Sequence, residues 1–498
     1  MTSLYSETAR YQGSRISAEF RLYAWSIILE PMLFFVLAEG TDAGINLTLA
    51  RLVQASFIMM FFARLLLTNT TWVIPNPGFW LYRYFTIYLL LLTAATFTGL
   101  FVFDTYTLTT LEKYGDSTFA VQALRGLYTR PFFEVLIFLY YFLYFVVLPK
   151  YMIRSQEEFG YLFKWLIRAL YFMLFVGFGD LVFQLLGWGY IPKHTIHTEF
   201  GYVGFRFHAL LGEPRDAFPY LLFGLGIIYL RRGLPPNTRV PLALVAVVLL
   251  AVLCTQSGSG AIGLALGALG VLFYFSVKSF RKLVLGLLVV AVVSAFAGLL
   301  VSFSPRLLLY VEMFSDLWAT LNAGERLPYL AAVQSANFLP FWQMWLNLKE
   351  LNLVPVMFGS GIGTTSIINN NLSAVLIEGA TSELMNAHAQ LTRVVFESGV
   401  VGLLIYVRIF LYPVRKLVRT IPRYRNSIVI TFLLLLGVSL SQRSTTIFIY
   451  LGIVISLLVN WPFRRGDARE REMRSDLVLP HALAGCGKTR VSPLPDPR

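Results

Sequence analysis

The chain has 498 residues, of which 57% are hydrophobic, 15% aromatic and only 14% charged. A soluble protein carries roughly 25% charged residues, so these charges are too few to cover a soluble surface, and apolar runs near the roughly 20 residues that cross a bilayer recur from end to end. The composition is that of a polytopic, all-α membrane protein. Its formal charge of +14 does not point to nucleic acid, because the Lys and Arg residues cluster at the ends of apolar runs on one face, the positive-inside pattern.

Hydropathy and length place about twelve spans near 22–39, 48–68, 79–103, 131–149, 161–187, 217–230, 239–256, 260–277, 283–303, 391–412, 427–442 and 444–462. Residues 1–21 are polar and the first apolar run is long enough to stay in the membrane, so no cleavable signal peptide is expected. Arg10, Arg15 and Arg21 precede the first span, and Lys150, Arg154 and Lys164 lie between the fourth and fifth. Arg231, Arg232 and Arg239 follow the sixth; Lys278, Arg281 and Lys282 the eighth; Arg415, Lys416, Arg419, Arg423 and Arg425 the tenth; Arg464 and Arg465 the last. All fall on one side if both termini are cytoplasmic. Segments 104–130, 188–216 and 304–390 then face outward, the last being the longest. Within it, 306–321 and 339–354 are amphipathic and rich in Trp, Phe and Leu, suited to helices in the headgroup plane. Residues 1–462 form the membrane domain, and the polar, proline-containing 463–498 reads as a disordered cytoplasmic tail. GCGKT at 485–489 has Ala482 where a phosphate-binding loop needs its first glycine, and is discounted.

Two stretches at outward helix ends carry the chemistry. In RFHALLGEPRDAF (206–218), Pro214 suits the first turn of a helix. Its amide groups and positive dipole end face outward beside Arg206 and Arg215, an arrangement that attracts phosphate or diphosphate; anchoring at lipid headgroups is the plainer alternative. In HAQLTRVVFESGVVGLLIY (388–406), His388 stands at the outer start of a helix, with Ser382 and Asn386 as caps. A helix N-terminus disfavours imidazolium, so the ring can accept a proton from a hydroxyl; a capped interfacial histidine without chemistry is the other reading. Glu397 has an i,i+4 partner in Arg393, and Gly399 and Gly402 allow close helix packing.

Arg326 in GERLPYL, Arg443 in SQRST and the glycine-rich MFGSGIG (357–363) also face outward. Gly359, Gly361 and Gly363 give the last freedom for a tight turn or hinge. His194, His197 and His208 lack the spacing and carboxylate partner of a metal site, and Cys254 and Cys486 make neither a disulfide framework nor a thiolate site; no metal or cofactor is expected. Glu30, Arg51, Arg64, Arg83, Arg168 and Asp180 lie inside or near the spans, where they mark a transport path or snorkel to the interface.

Together, RFHALLGEPRDAF, SGSGAIGLALG (257–267), GERLPYL followed by MFGSGIG, and HAQLTRVVFESGVVGLL resemble, in order and spacing, the O-antigen ligase and polymerase superfamily of bacterial envelope proteins. The resemblance covers residues near 200–410. The chain departs from it at Gly260, where family members often carry arginine after the serine. It implies glycosyl transfer on the periplasmic face of the inner membrane, from a glycan linked through diphosphate to undecaprenol. The acceptor is an incoming repeat unit in polymerases and lipid A-core in ligases, and Glu213-Pro214 looks more like the polymerases. On that reading Arg206, Arg215 and Arg326 hold the donor diphosphate and stabilise the charge that grows on it. His388 takes the acceptor proton, Glu213 and Arg443 support, and a chain-length regulator is a candidate partner. A ligase, or a transporter of the same lipid-linked glycan, remains an alternative.

Overall fold

The computed structural model describes residues 16–32, 36–38, 47–68, 79–101, 129–153, 155–188, 206–211, 214–232, 241–276, 279–302, 316, 319–320, 323, 339–365, 389–420, 425–441 and 444–460. The tail 463–498, most of the expected helix 306–321, and Glu213, Arg326, His388 and Arg443 lie outside the described residues.

Where it is described, the chain is almost wholly helical. The helices are α1 (Ala18–Leu29), α2 (Leu49–Thr68), α3 (Phe79–Phe101), α4 (Thr129–Tyr141), α5 (Leu148–Met152), α6 (Gln156–Leu185), α7 (Pro214–Arg232) and α8 (Leu242–Thr255). They continue with α9 (Gly258–Ser276), α10 (Phe280–Ser302), α11 (Leu339–Lys349), α12 (Leu353–Phe358), α13 (Gln390–Thr420), α14 (Arg425–Ser441) and α15 (Thr446–Asn460). Among the described residues, five helical stretches are long and apolar enough to cross a membrane: Leu49–Leu67, Phe132–Met152, Gln156–Leu185, Gly258–Ser276 and Gln390–Arg419. Leu66, Leu67, Phe175, Phe273 and Phe280 are each more than 70% exposed, a display of apolar surface that lipid covers and water would not tolerate. The chain is therefore a helical membrane protein.

The first expected span differs from the helix observed. The run 22–39 is mostly apolar, yet α1 ends at Leu29 and Val36–Ala38 pairs antiparallel with Leu47–Thr48. Pro31 accounts for the stop: Glu30 before it still has helical angles (φ −53°, ψ −43°), but the proline supplies no N–H to continue the ladder. A second proline acts differently. Pro149, the second residue of α5, gives no N–H to the Phe145 carbonyl, and the six residues before α5, Phe142–Val147, widen into a π-helical segment. Gly452 of α15 packs against that carbonyl so closely that a Cβ would collide with it.

Helix packing in lipid lacks a hydrophobic driving force and relies on close van der Waals fit, which small residues permit. SGSGAIGLALG serves this purpose. Gly263 and Gly267 of α9 lie against the α14 backbone at Leu433, Leu434 and Val438, and Gly437 lies against Gly263 and Gly267 in return. Aromatic side chains fill the centre, with Phe85 and Phe142 stacked at 3.6 Å between centroids and Tyr23, Phe57 and Tyr144 mutually packed.

Several of the charges in or near the spans have partners. Arg51 Nη2 stands 3.1 Å from Glu30 Oε1, and Gln54 donates to Glu30 Oε2 at 2.6 Å while accepting from Arg51 and Tyr140. Arg64 pairs with Glu19, and the Arg168 guanidinium lies 4.8 Å over the Trp165 ring.

Candidate functional site

The helix that follows His388 begins at Gln390 and is interrupted nine residues later. Gly399 has φ 68° and ψ −174°, a conformation open in practice only to glycine. A break in a helix strands carbonyls of the preceding turn, and in an apolar setting they need donors. The glycine-rich turn supplies them: Ser360 N donates to Phe396 O at 2.9 Å and Gly361 N to Glu397 O at 3.0 Å. Gly359, Gly361 and Gly363 all take positive φ, as the glycine spacing predicts. The fit is tight on both sides. A Cβ on Gly359 would collide with the Glu397 carbonyl, and one on Gly399 with the Met357 carbonyl. Gly399, expected only to aid helix packing, is thus where the glycine-rich turn docks. The turn also leans on α3, with Ile362 N donating to Thr96 Oγ1 at 3.0 Å.

Beside this joint lies a cavity of about 50 Å³. Its polar wall is Glu134 of α4, Gln390, Arg393 and Glu397 of α13, Ser439 of α14 and Ser444. Arg393 is buried; its Nη2 is 3.1 Å from Glu134 Oε2 and its Nε 3.5 Å from Glu397 Oε1, the i,i+4 pair expected from sequence. Thr365 Oγ1, at the end of the glycine turn, donates to Glu397 Oε1 at 2.7 Å. Two carboxylates sharing one guanidinium keep these charges satisfied in a low-dielectric wall. Glu134, Thr365 and Ser439 were not anticipated. A lone carboxylate in an apolar run needs a partner, and that was the one signal pointing to Glu134.

A second polar cluster joins the end of α6 to residues 206–208 and the end of α8. Gln184 clamps the backbone of Arg206 by donating to its carbonyl at 3.0 Å and accepting from its N–H at 2.9 Å, and it also donates to Asp180 at 2.6 Å. The Arg206 guanidinium donates through Nε to Thr255 O at 3.2 Å and through Nη2 to Gln256 O at 3.3 Å. It therefore caps the C-terminal carbonyls of α8, a favourable place for a cation. Behind it His208 is fully buried, with Nε2 3.0 Å from Asp180 Oδ2 and Nδ1 3.1 Å from Ala209 O. This close buried approach ties 206–208 to α6.

Arg215 occupies the first turn of α7, which begins at Pro214 as that proline's fixed φ predicts, and its side chain is half-buried. Of the sequence-predicted site residues, the described structure thus places Arg206 and Arg215 at helix ends, and sets a cavity against the first turn of the helix after His388. In comparisons with known proteins, no family model and no curated protein sequence matches the chain.

Proposed function

We propose that the chain is a membrane glycosyltransferase that polymerises undecaprenyl-diphosphate-linked oligosaccharide repeat units on the periplasmic face of the bacterial inner membrane. The observation that carries this reading is the polar cavity at the start of α13. Gln390 and Arg393, two and five residues after His388, line it, and the glycine turn of the outer loop seals its side. With both termini cytoplasmic and twelve spans alternating in direction, α3, α6, α8 and α14 end on the outer face, where α4, α7, α9, α13 and α15 begin. Both polar clusters then belong to that face, where His388 can take a proton from an acceptor hydroxyl. Arg215 and Arg326, with Arg206 at the α8 carbonyls, meet the donor diphosphate, and Glu213 and Arg443 support them. A diphosphate is a good leaving group, so charge stabilisation rather than a strong general acid is the demand on the protein.

The test is transfer by the full chain in lipid nanodiscs, supplied with lipid-linked repeat unit alone. A ladder of products is expected, and His388→Ala should slow its formation by about 10²–10⁴-fold while the protein stays monodisperse with unchanged thermal stability. Full-rate ladders from His388→Ala would remove that residue from the mechanism. Transfer that requires added lipid A-core identifies a ligase. Movement of the lipid-linked glycan across the bilayer without bond formation identifies a transporter, the reading that the broken helix at Gly399 favours, since transporters use discontinuous helices at their sites.

A further inference from the structure

We infer that the cavity beside Arg393 is a subsite for the hydroxyl edge of a neutral saccharide, separate from the place where the diphosphate binds. The inference rests on the transferase reading only in taking the lipid-linked glycan as the source of that saccharide. Its size comes first. The cavity measures about 50 Å³ and one water needs roughly 10–15 Å³ on this measure, so it admits on the order of three to five water-sized groups. That suits the hydroxyls along one side of a sugar ring and excludes a whole polyprenyl chain.

The wall chemistry narrows the ligand further. Glu134 and Glu397 flank the single guanidinium of Arg393 within 3.1 and 3.5 Å, so a phosphate entering here would meet two carboxylates. A cation would meet a buried arginine. A hydroxyl meets neither penalty, because it donates to carboxylate oxygens and accepts from Gln390 or Arg393. Ser439 adds a second observation. The residue lines the cavity and is only 3% exposed, and among the described residues its Oγ has no hydrogen-bond partner. Buried polar atoms in folded proteins are nearly always satisfied, and rotation of this hydroxyl toward the cavity would let a hydroxyl-bearing guest complete it. Tyr88, Tyr141 and Phe448 supply aromatic walls for the sugar's C–H faces. The two polar clusters thereby divide one ligand, with sugar at α13 and diphosphate at the arginines of α7 and the α8 end.

The experiment uses the full chain in membranes with Cys254→Ala and Cys486→Ala, plus Ser439→Cys, a change small enough to keep the packing. The rate of modification by a small uncharged methanethiosulfonate is measured with no addition, with the expressing strain's extracted lipid-linked saccharide, and with undecaprenyl diphosphate lacking sugar. We expect modification, slowed about tenfold when the glycan stands at about ten times its Kd, and no slowing by the bare lipid diphosphate. Ser444→Cys, at another point on the same wall, should behave alike. Lack of modification at both positions overturns the proposal, as does equal protection by the bare lipid, or none by the glycan. Transfer measured on the same preparation separates the two readings. Transfer without protection removes the subsite and keeps the enzyme; protection without transfer keeps the subsite and removes the enzyme.

Discussion

Replacing Gly399 by alanine tests whether the break in α13 is enforced by the chain, and the structure sets the size of the effect. The variant has two routes. If the break persists, alanine sits at φ 68°, ψ −174°, which costs about 1–3 kcal/mol, and its Cβ collides with the Met357 carbonyl. Relieving that collision withdraws the turn and gives up the bonds from Ser360 N and Gly361 N, together worth about 1–3 kcal/mol. If the helix instead heals, alanine gains about 1 kcal/mol of propensity over glycine. Phe396 O and Glu397 O then return to their own helix, and the buried Ser360 and Gly361 amides lose their acceptors, at about 1–3 kcal/mol each. Either route costs several kcal/mol, and the propensity gain cannot offset it. The assay is the monodisperse fraction remaining after a heating series, compared with Gly160→Ala. Gly160 lies in α6, where a Cβ meets nothing within 4 Å, so that control should match or exceed the parent. Gly399→Ala that is as heat-resistant as Gly160→Ala would refute the reasoning.

Removing the Arg393 side chain with Arg393→Ala leaves Glu134 and Glu397 buried without their shared cation, a loss of about 3–5 kcal/mol. The same heating series reads it, and adding Glu134→Gln to the variant should recover part of the loss. Arg206→Ala withdraws two charge-assisted bonds from the α8 carbonyls and is expected to cost about 1–3 kcal/mol, with Arg206→Lys keeping part of the stability. Unchanged thermal stability together with a raised donor KM would instead place the work of that guanidinium on the ligand.

The elements legible from sequence were those decided by local physics. The apolar runs mark helices because a chain in lipid must satisfy its own backbone, and Pro214 marks the start of α7 because its φ is already helical. The pair Arg393–Glu397 was legible because i,i+4 neighbours on a helix meet whatever surrounds them. Pro31 carried the stop of α1, but hydropathy alone ran through it to residue 39. What escaped depends on which helices become neighbours. Glu134 and Arg393 are 259 positions apart, and nothing in either run selects the other. The apolar pattern passes through VVFESGVVG without interruption, so the break at Gly399 shows only once Met357–Gly361 is brought against it. Likewise the four residues 257–260 gave no hint that Gly263 and Gly267 fit the α14 backbone.

The broken helix is the feature that most invites a transporter reading, and its hydrogen bonds argue the other way. Discontinuous helices serve ion-coupled transport because the unwound turn leaves carbonyls to coordinate the ion and the half-helix ends to face the substrate. In α13 two carbonyls at the break, Phe396 O and Glu397 O, each accept an N–H from the glycine turn, and closing the gap requires glycine on both faces of the joint. A coupling ion would have to compete with a loop held by two backbone bonds and by Thr365 on Glu397. The break is thus better suited to anchoring the glycine turn beside the cavity than to binding and releasing an ion. A fixed loop that encloses one side of a hydroxyl-lined cavity is what holding an acceptor in place for transfer requires. Release of that loop during turnover would reverse the argument. Cross-linking Met357→Cys to Val400→Cys, on the two sides of the joint, therefore distinguishes the cases: a transferase should keep its rate when the joint is locked, whereas a transporter that opens there should stop.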